Sequence, residues 1–65
     1  MNVAIPHIIL DEAVFEGKPP MTYDEYVHYH FSKDIKYLET PIQHRELEYT
    51  FYLEMIAEYR LIFLN

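Results

Sequence analysis

Glu25 and His28 stand three positions apart, the spacing at which a helix offers a Glu-x-x-His pair to a di-iron site. His30 and Asp34, and separately His44 and Glu48, stand four apart, so each pair shares a helical face and could grip one cation. A di-iron centre needs a second Glu-x-x-His and more carboxylates, which only a duplicated chain would bring. His28 and His30 point about 160° apart on a helix and cannot chelate together. The histidines are therefore read as solvated or interfacial, and no metal ligand is assigned. Nucleophilic catalysis has less to stand on: there is no cysteine, and Ser32 is the only serine, with no glycine-rich strand-to-helix turn around it. Gly17 is the single glycine, too few for a phosphate-cradling loop. The expectation is a non-enzymatic chain with no catalytic residue and no cofactor.

The charge balance narrows the partners. Eleven acids against five bases leave a net charge of −6, which disfavours nucleic acid and anionic membranes, since both select clustered Lys and Arg. The same balance suits a basic protein surface, or mimicry of a polyanion. On the last predicted helix Glu46, Glu54 and Glu58 could form a short acidic row, although Lys33, Lys36, Arg45 and Arg60 interrupt the pattern elsewhere. Salt-sensitive displacement of nucleic acid from a basic target is the mark of such a mimic.

These side chains sit on a chain of 65 residues, half of them apolar and one in six aromatic. That is too hydrophobic for disorder, and it makes at most one small domain. A chain of this size buries only about 60% of its unfolded surface and usually needs a staple. Without cysteine the staple is oligomerisation or a partner. A cytoplasmic setting fits the same absence. The opening MNVAIPHIILDEAV lacks a basic region, and Pro6 and His7 break its apolar run, so no secretory leader is expected. Leu47 to Leu64 carries Glu48, Glu54, Glu58 and Arg60, too many charges for a membrane span.

The elements divide into three. Residues 1–20 form an extended or edge-strand arm: β-branched residues favour extension, Pro6 confines a strand to an edge, and Pro19-Pro20 ends the segment. Thr22-Tyr23-Asp24-Glu25 is a capping box that opens a helix over 22–38, with Val27, Phe31, Ile35 and Leu38 at helical spacing. Thr40-Pro41-Ile42-Gln43 repeats the signal and opens a helix over 41–64, joined to the first by one or two residues. The fold class expected is mainly α, a two-helix hairpin preceded by the arm and completed by dimerisation or a partner.

The last helix carries two apolar stripes. Leu47, Phe51, Met55 and Ile62 fall within about 80° of one another and face Val27, Phe31, Ile35 and Leu38. Tyr49, Tyr52, Ile56, Tyr59 and Phe63, spaced three, four, three, four, occupy the adjacent arc. One stripe packs inside; the other needs cover. The N-terminal segment could supply it, or a second copy in a homodimer, or a different protein, and these alternatives stay open. Tyrosine favours an interface, because its ring seeks burial while its hydroxyl seeks a partner.

The function expected is therefore a small acidic regulatory protein. It binds and inhibits a larger protein through Tyr49, Tyr52, Ile56, Tyr59 and Phe63, in the economical manner of viral or mobile-element inhibitors, as a homodimer. Two other functions fit the composition: a nucleic-acid mimic on a basic site, and an antitoxin or small structural subunit.

Overall fold

The computed structural model describes residues 5–64. The chain is mainly α: α1 (His7–Val14), α2 (Tyr23–Lys33), a 3₁₀ segment (Ile35–Glu39) and α3 (Ile42–Phe63), with no strand among the described residues. The longest element, α3, is the strut on which α1 and α2 both pack. Their shared core is Ile9, Leu10, Ala13 and Val14 from α1, Tyr26 from α2, and Tyr52 and Ile56 from α3.

The N-terminal segment departs from the extended arm expected of it. Residues 7–14 are helical, because Ile9, Leu10, Ala13 and Val14 recur at the spacing that puts four apolar side chains on one helical face. Pro6, read as an edge-strand signal, instead precedes the first turn with an extended backbone (φ −59°, ψ 133°). The part of the expected arm at residues 1–4 lies outside the described residues. After α1 the chain reverses at Gly17, whose φ of +73° is the left-handed conformation that glycine adopts most cheaply.

At α2 the expected capping box forms: the Thr22 hydroxyl accepts from the Glu25 amide at 3.2 Å, and Glu25 Oε1 accepts from the Thr22 amide at 2.9 Å. The helix stops at Lys33 rather than Leu38. Asp34 takes an extended backbone and its Oδ1 accepts from the Lys36 amide at 3.0 Å, the local bond by which aspartate competes with helix. Ile35 and Leu38, expected to line the inner face, consequently point outward at 75% and 50% exposure. The join between the helices is thus an eight-residue segment, 34–41. No side chain caps α3: the Thr40 amide closes the 3₁₀ segment onto the Tyr37 carbonyl at 3.0 Å, and the Pro41 carbonyl receives the first amides of α3.

Candidate binding surface

The tyrosine stripe faces inward. Tyr52 and Ile56 are buried, Tyr49 and Tyr59 are half-buried against the same core, and Phe63 is exposed. Of the three covers left open by the sequence, the described chain shows the N-terminal segment, now as α1. The tyrosine hydroxyls find their partners within the chain: Tyr52 Oη accepts from the Met21 amide at 2.9 Å, and Tyr49 Oη donates to the Met21 carbonyl at 2.7 Å. Between them they satisfy both backbone groups of the residue that leads into α2. Ring packing completes the layer, with Tyr26 centred 5.0 Å from Tyr52 and 5.5 Å from Tyr49. Any interface built on Tyr52 and Ile56 has to displace α1 first.

A guanidinium holds α1 in place. Arg60 donates to the Ala13 carbonyl through Nε at 3.1 Å and through Nη2 at 2.7 Å. Ala13 lies in the last turn of α1, where the unpaired carbonyls attract a cation. Phe15 then meets Phe63 with ring centroids 5.5 Å apart. The sequence reading assigned Arg60 no role, and its position one residue past Tyr59 on the inward side of α3 was the available signal.

At the other end of α3 lies a polar cluster. Tyr37 Oη donates to Glu48 Oε2 at 3.1 Å, and the His30 ring stacks on Tyr37 at 4.8 Å with 14° between planes. Tyr26 Oη, His30 Nε2 and Arg45 Nε are buried and make no protein hydrogen bond. Burial, with the Glu48 carboxylate adding to it, pushes the Tyr26 and Tyr37 hydroxyls well above the ordinary tyrosine range. Burial also lowers the His30 imidazole below its ordinary value, against a weaker opposing pull from Glu48. The cluster packs the 3₁₀ segment against α2 and ties it to α3 through the Tyr37–Glu48 bond.

The residue pairs considered for metal are separately engaged. Glu25 is held in the capping box and Asp34 caps the 3₁₀ segment, while Glu48 receives Tyr37. No group of three or more His, Asp or Glu side chains among the described residues could hold an ion. A cleft of about 280 Å³ lies between α1 and the start of α2, floored by Ile9, Ala13, Met21 and Tyr52. The Glu12–Lys18 ion pair, 3.3 Å long, stands at its mouth. Its volume falls just under the range of about 300–1,000 Å³ usual for small-molecule sites.

What stays open is the other stripe. Leu47, Phe51 and Ile62, expected in the core, are 43%, 39% and 60% exposed, and Met55 is half-buried. The physical reason is that α2 packs on the tyrosine stripe instead, its lead-in residue Met21 held by Tyr49 and Tyr52 and its Tyr26 ring against both, while Ile35 and Leu38 turn outward after Asp34. A second open surface surrounds the end of α3, where Leu61, Ile62, Phe63 and Leu64 join Phe15, each more than half exposed. Four consecutive apolar residues wind fully around a helix, so this run could have marked a surface that no single internal face accommodates. No helix among the described residues is long and apolar enough to cross a membrane. Compared with protein-family models, with curated proteins and with solved structures, the chain matches none.

Proposed function

We propose that this chain is a small acidic binding protein without chemistry of its own, which modulates a larger protein by seating the apolar end of α3 in an apolar pocket on it. One observation carries the reading. Phe15, Leu61, Ile62, Phe63 and Leu64 gather at the end of α3, every member at least 56% exposed, with Phe15 joined to Phe63 by ring contact. Contiguous apolar patches on small soluble chains mark interaction sites, and aromatic residues lead the energetics of such contacts. Of the five residues expected at the interface, Phe63 is the one that the fold leaves free. The acidic remainder, at net charge −6, favours a target whose pocket is ringed by basic residues. Inhibition by occupancy suits a chain this small, and the cytoplasm suits its lack of cysteine.

The test is site-specific photocrosslinking in the cells that make the protein. A photoreactive phenylalanine at position 63 or 61 should yield one discrete adduct, which a probe at Gln43 does not. Leu61→Glu, with the helical spectrum retained, should abolish it, and the purified target should change its activity when the chain is added. Identical adducts from position 43, or adducts indifferent to Leu61→Glu, would refute the proposal.

A further inference from the structure

The open stripe of α3 is a palindrome. His44, Leu47, Phe51, Met55 and Glu58 are spaced three, four, four, three, so they run symmetrically outward from Phe51. They are symmetric around the helix as well. At about 100° per residue, Leu47 and Met55 lie about 40° to opposite sides of Phe51, and His44 and Glu58 about 20° to opposite sides. His44, Leu47, Phe51 and Glu58 are exposed and Met55 is half-buried.

We infer that this face pairs with a second copy of the chain in an antiparallel dimer whose two-fold axis passes beside Phe51. That operator stacks Phe51 on Phe51, sets each Leu47 beside Met55 of the other copy, and sets each His44 beside Glu58 of the other copy. The seam covers about 21 Å of helix.

Charge selects this occupant and this direction. Glu58 lies inside the stripe rather than on its rim, and a carboxylate drawn into an apolar seam is unfavourable unless a cation or a hydrogen-bond donor meets it. The basic residues of α3 are not available within its own copy: Arg60 is bound to the Ala13 carbonyl, and Arg45 is half-buried with Nε enclosed. A parallel pair would set Glu58 on Glu58. The antiparallel pair gives it an imidazole, twice over by symmetry. Glu48 and Glu54 of opposite copies reach the same level but on opposite rims, with the apolar pair between them, and Glu48 is already turned onto Tyr37. Ile62 continues this stripe one turn beyond Glu58, outside the 44–58 seam, and the dimer sends the two apolar ends of α3 in opposite directions.

Molar mass by light scattering over a hundredfold concentration range should show a monomer–dimer equilibrium. Phe51→Glu, which puts two carboxylates on the axis, should weaken it at least about 100-fold. Glu58→Lys should weaken it by taking the carboxylate acceptor from His44 and leaving a lysine without an acid in the seam, and the double variant His44→Glu with Glu58→Lys should restore it, since each copy then carries both halves of the reversed pair. Because Glu58 is exposed, this arm stands even if Phe51→Glu fails to fold. Direction is read from single cysteines: Phe51→Cys should oxidise to a disulfide dimer, and Leu47→Cys should not. A monomer throughout, a dimer indifferent to Glu58→Lys, failure of the double variant to restore pairing, or equal crosslinking at positions 47 and 51 would each overturn the inference.

Discussion

Ile56 and Ile62 lie on one helix and differ in burial, at 2% and 60% exposed, so replacing each by alanine isolates what the fold does with the two stripes. Each substitution removes about 2.4 kcal/mol of apolar transfer free energy if the side chain is fully buried, at about 0.8 kcal/mol per carbon. At Ile56 nearly all of this is lost, and the cavity left against α1 adds to it, for a total of about 3–4 kcal/mol. At Ile62 under half is lost, about 1 kcal/mol, and the better helix propensity of alanine returns about 0.4 kcal/mol. The two variants should therefore differ by about 2–3 kcal/mol. A chain of this length holds about 3–10 kcal/mol in all, so Ile56→Ala should remove between about a third and all of it. The assay is urea denaturation followed by far-ultraviolet circular dichroism, at two protein concentrations so that self-association at the open face is seen separately. Equal costs, or a larger cost at Ile62, would refute the inward assignment of the tyrosine stripe.

Arg60→Met keeps much of the apolar stem but removes the paired hydrogen bonds to Ala13. It should cost about 1.5–3 kcal/mol, and Arg60→Lys should recover only part of this; the measure is the urea midpoint. Because burial lowers the His30 pKa from 6.5 in the folded chain, the unfolded chain binds the extra proton first. Stability should hold above pH 6.5 and fall as pH drops from there toward the folded value. His30→Phe, which keeps a ring on Tyr37, should flatten that slope in denaturation curves taken across the same interval. Gly17→Ala should destabilise by about 1–2 kcal/mol through backbone strain alone, since nothing lies within 4 Å of the added carbon, and thermal unfolding should register the loss without any change in helix content.

Much of the architecture was readable where a signal was purely local. The Thr22–Glu25 box and the long uninterrupted run of α3 needed only chain chemistry, and both are present. The two apolar stripes were visible as well, yet their assignment to inside and outside was not, because that depends on which other segment is helical. Pro6 and the β-branched residues around it spoke for extension, while Ile9, Leu10, Ala13 and Val14 spoke for a helix, and packing against α3 decided for the helix. Asp34 reads as one more helical residue until its side chain captures the Lys36 amide. That bond turns Ile35 and Leu38 away, and α2 lands on the tyrosine stripe rather than on Leu47 and Phe51. Leu61 and Phe63 share the end of α3 by sequence alone, whereas Phe15 meets them only once α1 is folded against it.

The bond from Arg60 to Ala13 spans 47 positions of sequence, and this has a kinetic meaning. The pair α2 and α3 closes through nearer contacts, such as Met21 to Tyr49 and Tyr52, 28 and 31 positions apart, so it is expected to form before α1 docks. An eight-residue helix such as α1 is unstable by itself in water, so it gains its shape only by landing on a hairpin already made. The order reverses on opening: α1 lifts away at lower free energy than the rest. Amide hydrogens of α1 should therefore exchange ahead of those at the centre of α3. In that open interval the buried side chains of Tyr52 and Ile56 meet solvent, and the chain briefly shows a second apolar face.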